Sequence, residues 1–88
     1  MSLGKYLVEF IGTFIFLSVI LTKGEAIPIG IALATAIFFG GKVSGGNFNP
    51  AVSIMMFLKG TLKGKDLPGY IVAQVLGGVA ALCLHTKV

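Results

Sequence analysis

The sequence predicts an all-α membrane protein with three transmembrane helices and one re-entrant half-helix. Three observations predict it. Hydrophobic residues make up 56% of the chain and charged residues 11%, about half the charge content of soluble domains. The charges are also clustered: Glu9 is the only one from Tyr6 to Thr22, and none falls in Ala26–Gly41, Val43–Leu58 or Leu67–Thr86. Uncharged runs of this length suit a bilayer, which takes about 20 helical residues and about 17 at the short end. Finally, the run SGGNFNPAVSIMMFLKG, Ser44 to Gly60, holds a helix too short to cross. A length of 88 residues gives one domain and leaves little room for a large water-soluble core.

The first helix is expected over about residues 6–22, ended by the polar break Lys23-Gly24-Glu25. The second is expected over about 26–41. Pro28 is tolerated in its first turn, where the missing N–H has no intrahelical partner. Ala32, Ala36 and Gly40 recur every fourth residue, as do Gly30 and Ala34, a spacing that lets helix backbones approach closely in lipid. A re-entrant loop and half-helix follow over about 42–59. The last helix is expected over about 67–86, beginning at Leu67-Pro68, with Ala73, Gly77 and Ala81 as a second small face. No internal repeat is visible.

All seven cations are lysines. Net charge +4 without a single arginine or a basic face argues against nucleic acid; the lysines set topology instead. If three segments cross once each, Lys5, Lys42, Lys59, Lys63 and Lys65 share a side and oppose Lys23 and Lys87. The positive-inside rule then puts the N-terminus in the cytoplasm. Full crossing by Val43–Leu58 would move Lys59, Lys63 and Lys65 across. A signal peptide over the first segment is disfavoured because Glu9 interrupts the run and the later segments are equally apolar. Cys83 is the only cysteine, so no intrachain disulfide forms. His85 is a lone histidine, and no nucleophile–base pair or metal cluster is present, so neither enzyme, metal nor cofactor is implied.

The half-helix is written in its caps. Asn49 is a preferred N-cap and Pro50 fits the first helical position. Lys59 and Gly60 read as a helix stop. The helix of about ten residues is roughly 15 Å long at 1.5 Å per residue, half of a hydrocarbon core of about 30 Å. Ser44-Gly45-Gly46-Asn47 ahead of it has turn composition. Irregular backbone at that depth is tolerated only against protein or a water-filled cavity, so the glycines are expected to expose carbonyls to a passage. The N-terminus of the half-helix brings about half a positive charge to the midplane, which disfavours cations and leaves neutral polar solutes alone. With the Asn49 oxygen used as a cap, its amide N–H groups remain free to donate.

SGGNFNPAVS resembles the first Asn-Pro-Ala loop of the aquaporin or major intrinsic protein family. LVEFIGTFIFL (Leu7–Leu17), IGIALATAIFFGGKVSGG (Ile29–Gly46) and LPGYIVAQVLGG (Leu67–Gly78) resemble that family's first three helices, in order and in one register. The resemblance implies that Asn49, Pro50 and Ala51 meet a counterpart loop at mid-membrane. It implies that the backbone of Gly45, Gly46, Asn47 and Phe48 lines a pore, and that Ile29 stands at the constriction. Glu9 and Gln74 are implied to brace the re-entrant loop. Lys42 and Asn47 stand where the family often has His, and Ile29 where it often has an aromatic residue. Family members carry two inverted repeats, and residues 1–88 resemble the first alone; Val52 follows Ala51 where a second repeat would carry arginine. The implied function is a component of a passive channel for water or small neutral solutes such as glycerol. Its pore would be completed in the bilayer by an inverted copy of itself or by a separate second-half chain, as a homo- or hetero-oligomer. A small three-span pore-forming, lesion-forming or scaffolding membrane protein is the alternative, as is a non-functional truncated fragment.

Overall fold

The computed structural model of the chain describes residues 2–86. Among the described residues four helices follow one another: α1 (Ser2–Lys23), α2 (Ala26–Ser44), α3 (Pro50–Lys59) and α4 (Leu67–His85). The fold is all-α, with three apolar helices long enough to span a bilayer and one of ten residues that is not. Its longest dimension is 37 Å, which matches a hydrocarbon core of about 30 Å with its margins.

α1 is the central element and packs against α4 on one side and α2 on the other, while α3 rests on α4. Small residues set the closeness of the α1–α4 contact. Ala73, Gly77 and Ala81 are all buried there. A Cβ at Gly77 would lie 2.7 Å from the Phe10 carbonyl oxygen and 3.1 Å from the Phe14 nitrogen, so the two backbones touch without side chains between them. On α2, Ala32, Ala36 and Gly40 line the same groove as Val8, Ile11 and Gly12 of α1. Gly30 and Ala34, the other small pair on α2, are exposed.

Burial runs opposite to that of a water-soluble domain. Leu3, Phe38, Phe39 and Leu84 are well exposed, whereas Glu9, Thr13, Ser44, Asn47, Ser53, Asp66 and Gln74 are buried. Apolar surface turned outward and paired polar groups turned inward are what lipid demands. The chain is an integral membrane protein.

Two boundaries differ from the sequence expectation. α1 starts at Ser2, a turn ahead of the uncharged run, since Lys5 sits at its end with its ammonium engaged by Asp66. α2 runs on through Lys42 to Ser44 and stops only where Gly45 turns left-handed, φ 90°. Its Gly45 N–H donates to the Gly41 carbonyl at 2.8 Å, which closes the helix end. Lys42 is exposed, and Lys87 lies outside the described residues.

Candidate functional site: the loop between α2 and α3

Between Ser44 and Pro50 the chain reverses in five residues. Gly45, Gly46 and Phe48 all have positive φ (90°, 65° and 52°). The left-handed region is free for glycine but strained for Phe48, so something must hold Phe48 there. Its ring is 2% exposed and lies directly over Gly12 of α1 and close to Gly40 of α2, where a Cβ would sit 3.3 Å from it. Only a residue without a side chain at position 12 leaves room for that ring.

The second restraint is polar. Glu9, fully buried on α1, takes four hydrogen bonds. One carboxyl oxygen accepts from Ser44 Oγ at 2.7 Å and from the Asn47 N–H at 3.1 Å. The other accepts from the Phe48 N–H at 2.8 Å and from Gln74 Nε2 at 2.8 Å. Two loop N–H groups that would otherwise be orphaned in an apolar medium are thereby paired. Gln74 Nε2 also donates to Ser53 Oγ at 2.7 Å, and Asn47 Nδ2 donates to the same hydroxyl at 3.0 Å. Tyr70 donates its hydroxyl to the Ser44 carbonyl at 2.6 Å. The end of α2, the loop, the first turn of α3 and the middle of α4 thus converge on one carboxylate of α1.

α3 opens as its caps require. Asn49 is extended (φ −162°) and its Oδ1 accepts from the Ala51 N–H at 2.8 Å, with Pro50 at the first helical position. Asn49 and Ala51 are exposed and Pro50 is half-buried. Asn49 and Pro50 border a groove with Thr13 and Gln74, residues near the middle of α1 and α4, so α3 begins halfway along the bundle. At its other end Gly60 (φ 95°) returns its N–H to the Met56 and Phe57 carbonyls.

A separate cavity of about 390 Å³ lies at the end of the bundle that carries the α3–α4 connection, lined by Ser44, Gly45 and Asn47 together with Lys5, Lys63 and Lys65. Lys5 Nζ pairs with Asp66 at 2.9 Å, and Tyr6 donates its hydroxyl to the same carboxylate at 3.1 Å. Asp66 therefore ties α1 to the start of α4 and makes no side-chain cap to α4. The hydrogen bond from the Lys5 ammonium holds the Asp66 carboxyl below the ordinary carboxylate value, aided by Tyr6 and opposed by burial. A depressed folded-state value contributes stability that is present above the unfolded value of about 3.9. It is lost as the pH falls from there through the depressed value. Acid unfolding of the chain in detergent micelles is expected to show this loss, and Lys5→Met is expected to flatten it. An unchanged acid limb in that variant counts against the tie.

The residues singled out from the sequence separate into two groups. Glu9, Gly45, Gly46, Asn47, Phe48, Asn49, Pro50, Ala51 and Gln74 belong to this one cluster. Ile29 does not: it is half-buried in the first turns of α2, about 22 Å along that helix from Ser44 at 1.5 Å per residue. Lys5, which could have paired with Glu9 one turn away, pairs with Asp66 instead. Ser44, Ser53, Tyr70, Asp66 and Gly12 were missed by sequence reasoning. Only Gly12, three residues after Glu9, left a trace, as a small residue among bulky ones.

Three spanning helices around a half-length helix, with a re-entrant loop pinned by buried polar groups, make up half of an aquaporin-like fold. Comparison with known sequences agrees over the full length. The family model described as Major intrinsic protein matches residues 1–88. The chain is 44% identical over 87 residues to the glycerol uptake facilitator protein-like 6 of Lactiplantibacillus plantarum, covering 88% of this chain and 40% of that one. It is 46% identical over 61 residues to aquaporin Z of Brucella melitensis, covering 69% of this chain and 27% of that one. It is 44% identical over 92 residues to human aquaporin-9, covering 86% of this chain and 31% of that one. No solved structure gives a significant match. The chain belongs to the major intrinsic protein family, and it spans well under half the length of these relatives.

Proposed function

We propose that the chain forms one half of a passive channel for water or small neutral solutes such as glycerol, and that an inverted second half completes the pore. The observation that carries this reading is the exposed Asn49 at the tip of α3. Its Oδ1 is spent on the cap, which leaves its amide N–H groups to donate to a passing solute beside the positive end of a half-helix. The relatives' names, glycerol uptake facilitator and aquaporin, support the solute class. In this reading the backbone of Gly45 to Phe48 offers carbonyls to the passage, Gly45 and Asn47 bordering the lysine-lined cavity, and Ile29 stands nearer the other mouth. Glu9 and Gln74 act through the loop by holding it in place. No bond is made or broken by any residue of this site.

The lysines orient the bundle. Lys5, Lys63 and Lys65 gather around the cavity at one end, and Lys23 ends α1 at the other; that asymmetry supports a cytoplasmic N-terminus. The test is stopped-flow swelling of vesicles holding this chain together with a second half. Asn49→Ala is expected to lower flux several-fold with normal insertion, and Lys23→Cys is expected to react with an impermeant thiol reagent only from outside. Flux unchanged in Asn49→Ala would sink the pore-facing role, and labelling from the cytoplasmic face would reverse the topology.

A further inference from the structure

The cavity at the end of the bundle carries a charge for which the passage of neutral solutes has no use. Lys5, Lys63 and Lys65 line it, and among the described residues Asp66 is the one carboxylate on its wall. Three ammonium groups against one carboxylate leave an excess of two positive charges. Asp66 is already engaged: it is 8% exposed and takes the Lys5 ammonium at 2.9 Å and the Tyr6 hydroxyl at 3.1 Å. Lys63 and Lys65 are exposed, and among the described residues no carboxylate pairs with either.

The backbone that presents these two lysines is fixed by hydrogen bonds. The Thr61 and Leu62 N–H groups donate to the Met56 carbonyl at 2.9 and 3.1 Å, the Asp66 N–H to the Lys63 carbonyl at 3.0 Å, and the Leu67 N–H to the Gly64 carbonyl at 3.3 Å. A ligand held by Lys63 and Lys65 therefore orders two side chains and no loop, which keeps the entropic cost of binding low. The volume of about 390 Å³ falls in the range of small-molecule sites, about 300–1,000 Å³.

Its place in the bilayer decides what kind of molecule reaches it. The cavity lies at the ends of the apolar helices, at the depth of lipid headgroups, with Leu3 and Leu58 nearby 66% and 76% exposed. Tyr6 joins it to a second, apolar space. The Tyr6 hydroxyl rests on Asp66, while its ring lines a groove of about 440 Å³ between α1 and α4, together with Leu3, Leu7, Val72 and Leu76. We propose that the cavity binds the phosphate monoester headgroup of an anionic lipid through Lys63 and Lys65, and that one acyl chain of that lipid lies in the groove. A phosphate monoester carries a charge of about −1.5 to −2 near neutral pH, which matches the excess of two positive charges. Basic pockets between spanning helices hold lipid headgroups by the same attraction. The site lies wholly within this chain, so its absence would leave the two-half channel untouched.

The chain has two tyrosines and no tryptophan; Tyr70 lines the cavity and Tyr6 the groove, so tyrosine emission reports from the site itself. The test places the full chain in phosphatidylcholine vesicles containing a small fraction of lipid brominated on its acyl chains. Brominated phosphatidic acid is expected to quench at a mole fraction about fivefold to thirtyfold lower than brominated phosphatidylcholine, about fivefold for each lysine. Lys63→Gln and Lys65→Gln are each expected to remove about fivefold of that preference. Quenching by brominated phosphatidylcholine is expected to stay at the wild-type level in both, which shows the fold intact. Lys42→Gln and Lys59→Gln, at the same end but outside the cavity, are expected to change nothing. Equal quenching by the two lipids in the wild-type chain, or equal losses in all four variants, overturns the site and leaves only diffuse surface attraction. Phosphatidylglycerol quenching as well as phosphatidic acid overturns the choice of a monoester. Relief of the phosphatidic acid quenching by millimolar inorganic phosphate overturns the lipid as its source.

Discussion

Glu9→Gln is expected to release the loop between α2 and α3 while leaving the three spanning helices inserted. Each carboxyl oxygen of Glu9 accepts from one backbone N–H of the loop, at Asn47 or at Phe48. A glutamine side chain fills the same space but replaces one oxygen with an N–H₂ group. Whichever way it turns, a donor then faces a loop donor, and a buried N–H loses its acceptor. The loss of one such pairing costs about 1–3 kcal/mol, and the opposed donors add to it. Asn47 and Phe48 are both buried, so water does not replace the carboxylate while the loop stays packed. Amide exchange at Asn47 and Phe48, measured in micelles, is expected to rise by one to two orders of magnitude, about 10- to 100-fold. Protection at Ala73 and Gly77, on the α1–α4 contact, is expected to persist. Equal protection of the loop in wild type and variant would show that Glu9 does not hold it.

The other large effect is expected at Gly12. A methyl group there would collide with the Phe48 ring, which is confined on the far side by Gly40 and is already at a left-handed backbone angle. The ring has no flexible end to swing away, so the loop or α1 must shift. Overpacking of this kind costs about 1–3 kcal/mol and occasionally more. Gly12→Ala is therefore expected to lower the thermal midpoint in detergent and to expose the ring. Phe48→Leu in the same chain is expected to recover much of the loss, because a shorter side chain makes room for the new methyl. The double-mutant cycle reads the contact directly. Additive losses in the two single variants, with no recovery in the double, would mean that the two positions do not press on each other.

These two positions also show where sequence reading stops. Glu9 stands out in the sequence because it is the one charge in a long apolar run, and a charge in a spanning helix needs a partner. Nothing in the run names that partner, and Lys5 one turn away looks as suitable as a loop thirty-eight residues on. The choice falls to Asp66, which takes Lys5 for itself and leaves Glu9 to the loop and Gln74. Gly12 is similar: small residues are common in membrane helices, and only the arrival of Phe48 above it gives that particular glycine its purpose. Ile29, singled out for a place at the constriction and not for a contact with Glu9, lies in the first turns of α2, apart from this cluster.

Features that depend on neighbours along the chain are legible in the residues. Charge-free runs give the spanning helices, Asn49-Pro50 and Lys59-Gly60 give the ends of the short one, and its ten residues give a reach of half a bilayer. Each of these follows from local hydrogen bonding and from the cost of bare polar groups in lipid. The sharing of buried polar groups is settled by packing: Ser44 of α2, Ser53 of α3 and Tyr70 and Gln74 of α4 gather around Glu9 of α1 only when all four helices have come together. Hydrogen-bond partners in an apolar interior are assigned by what lies within about 3 Å in space, and separation along the chain carries no record of that distance.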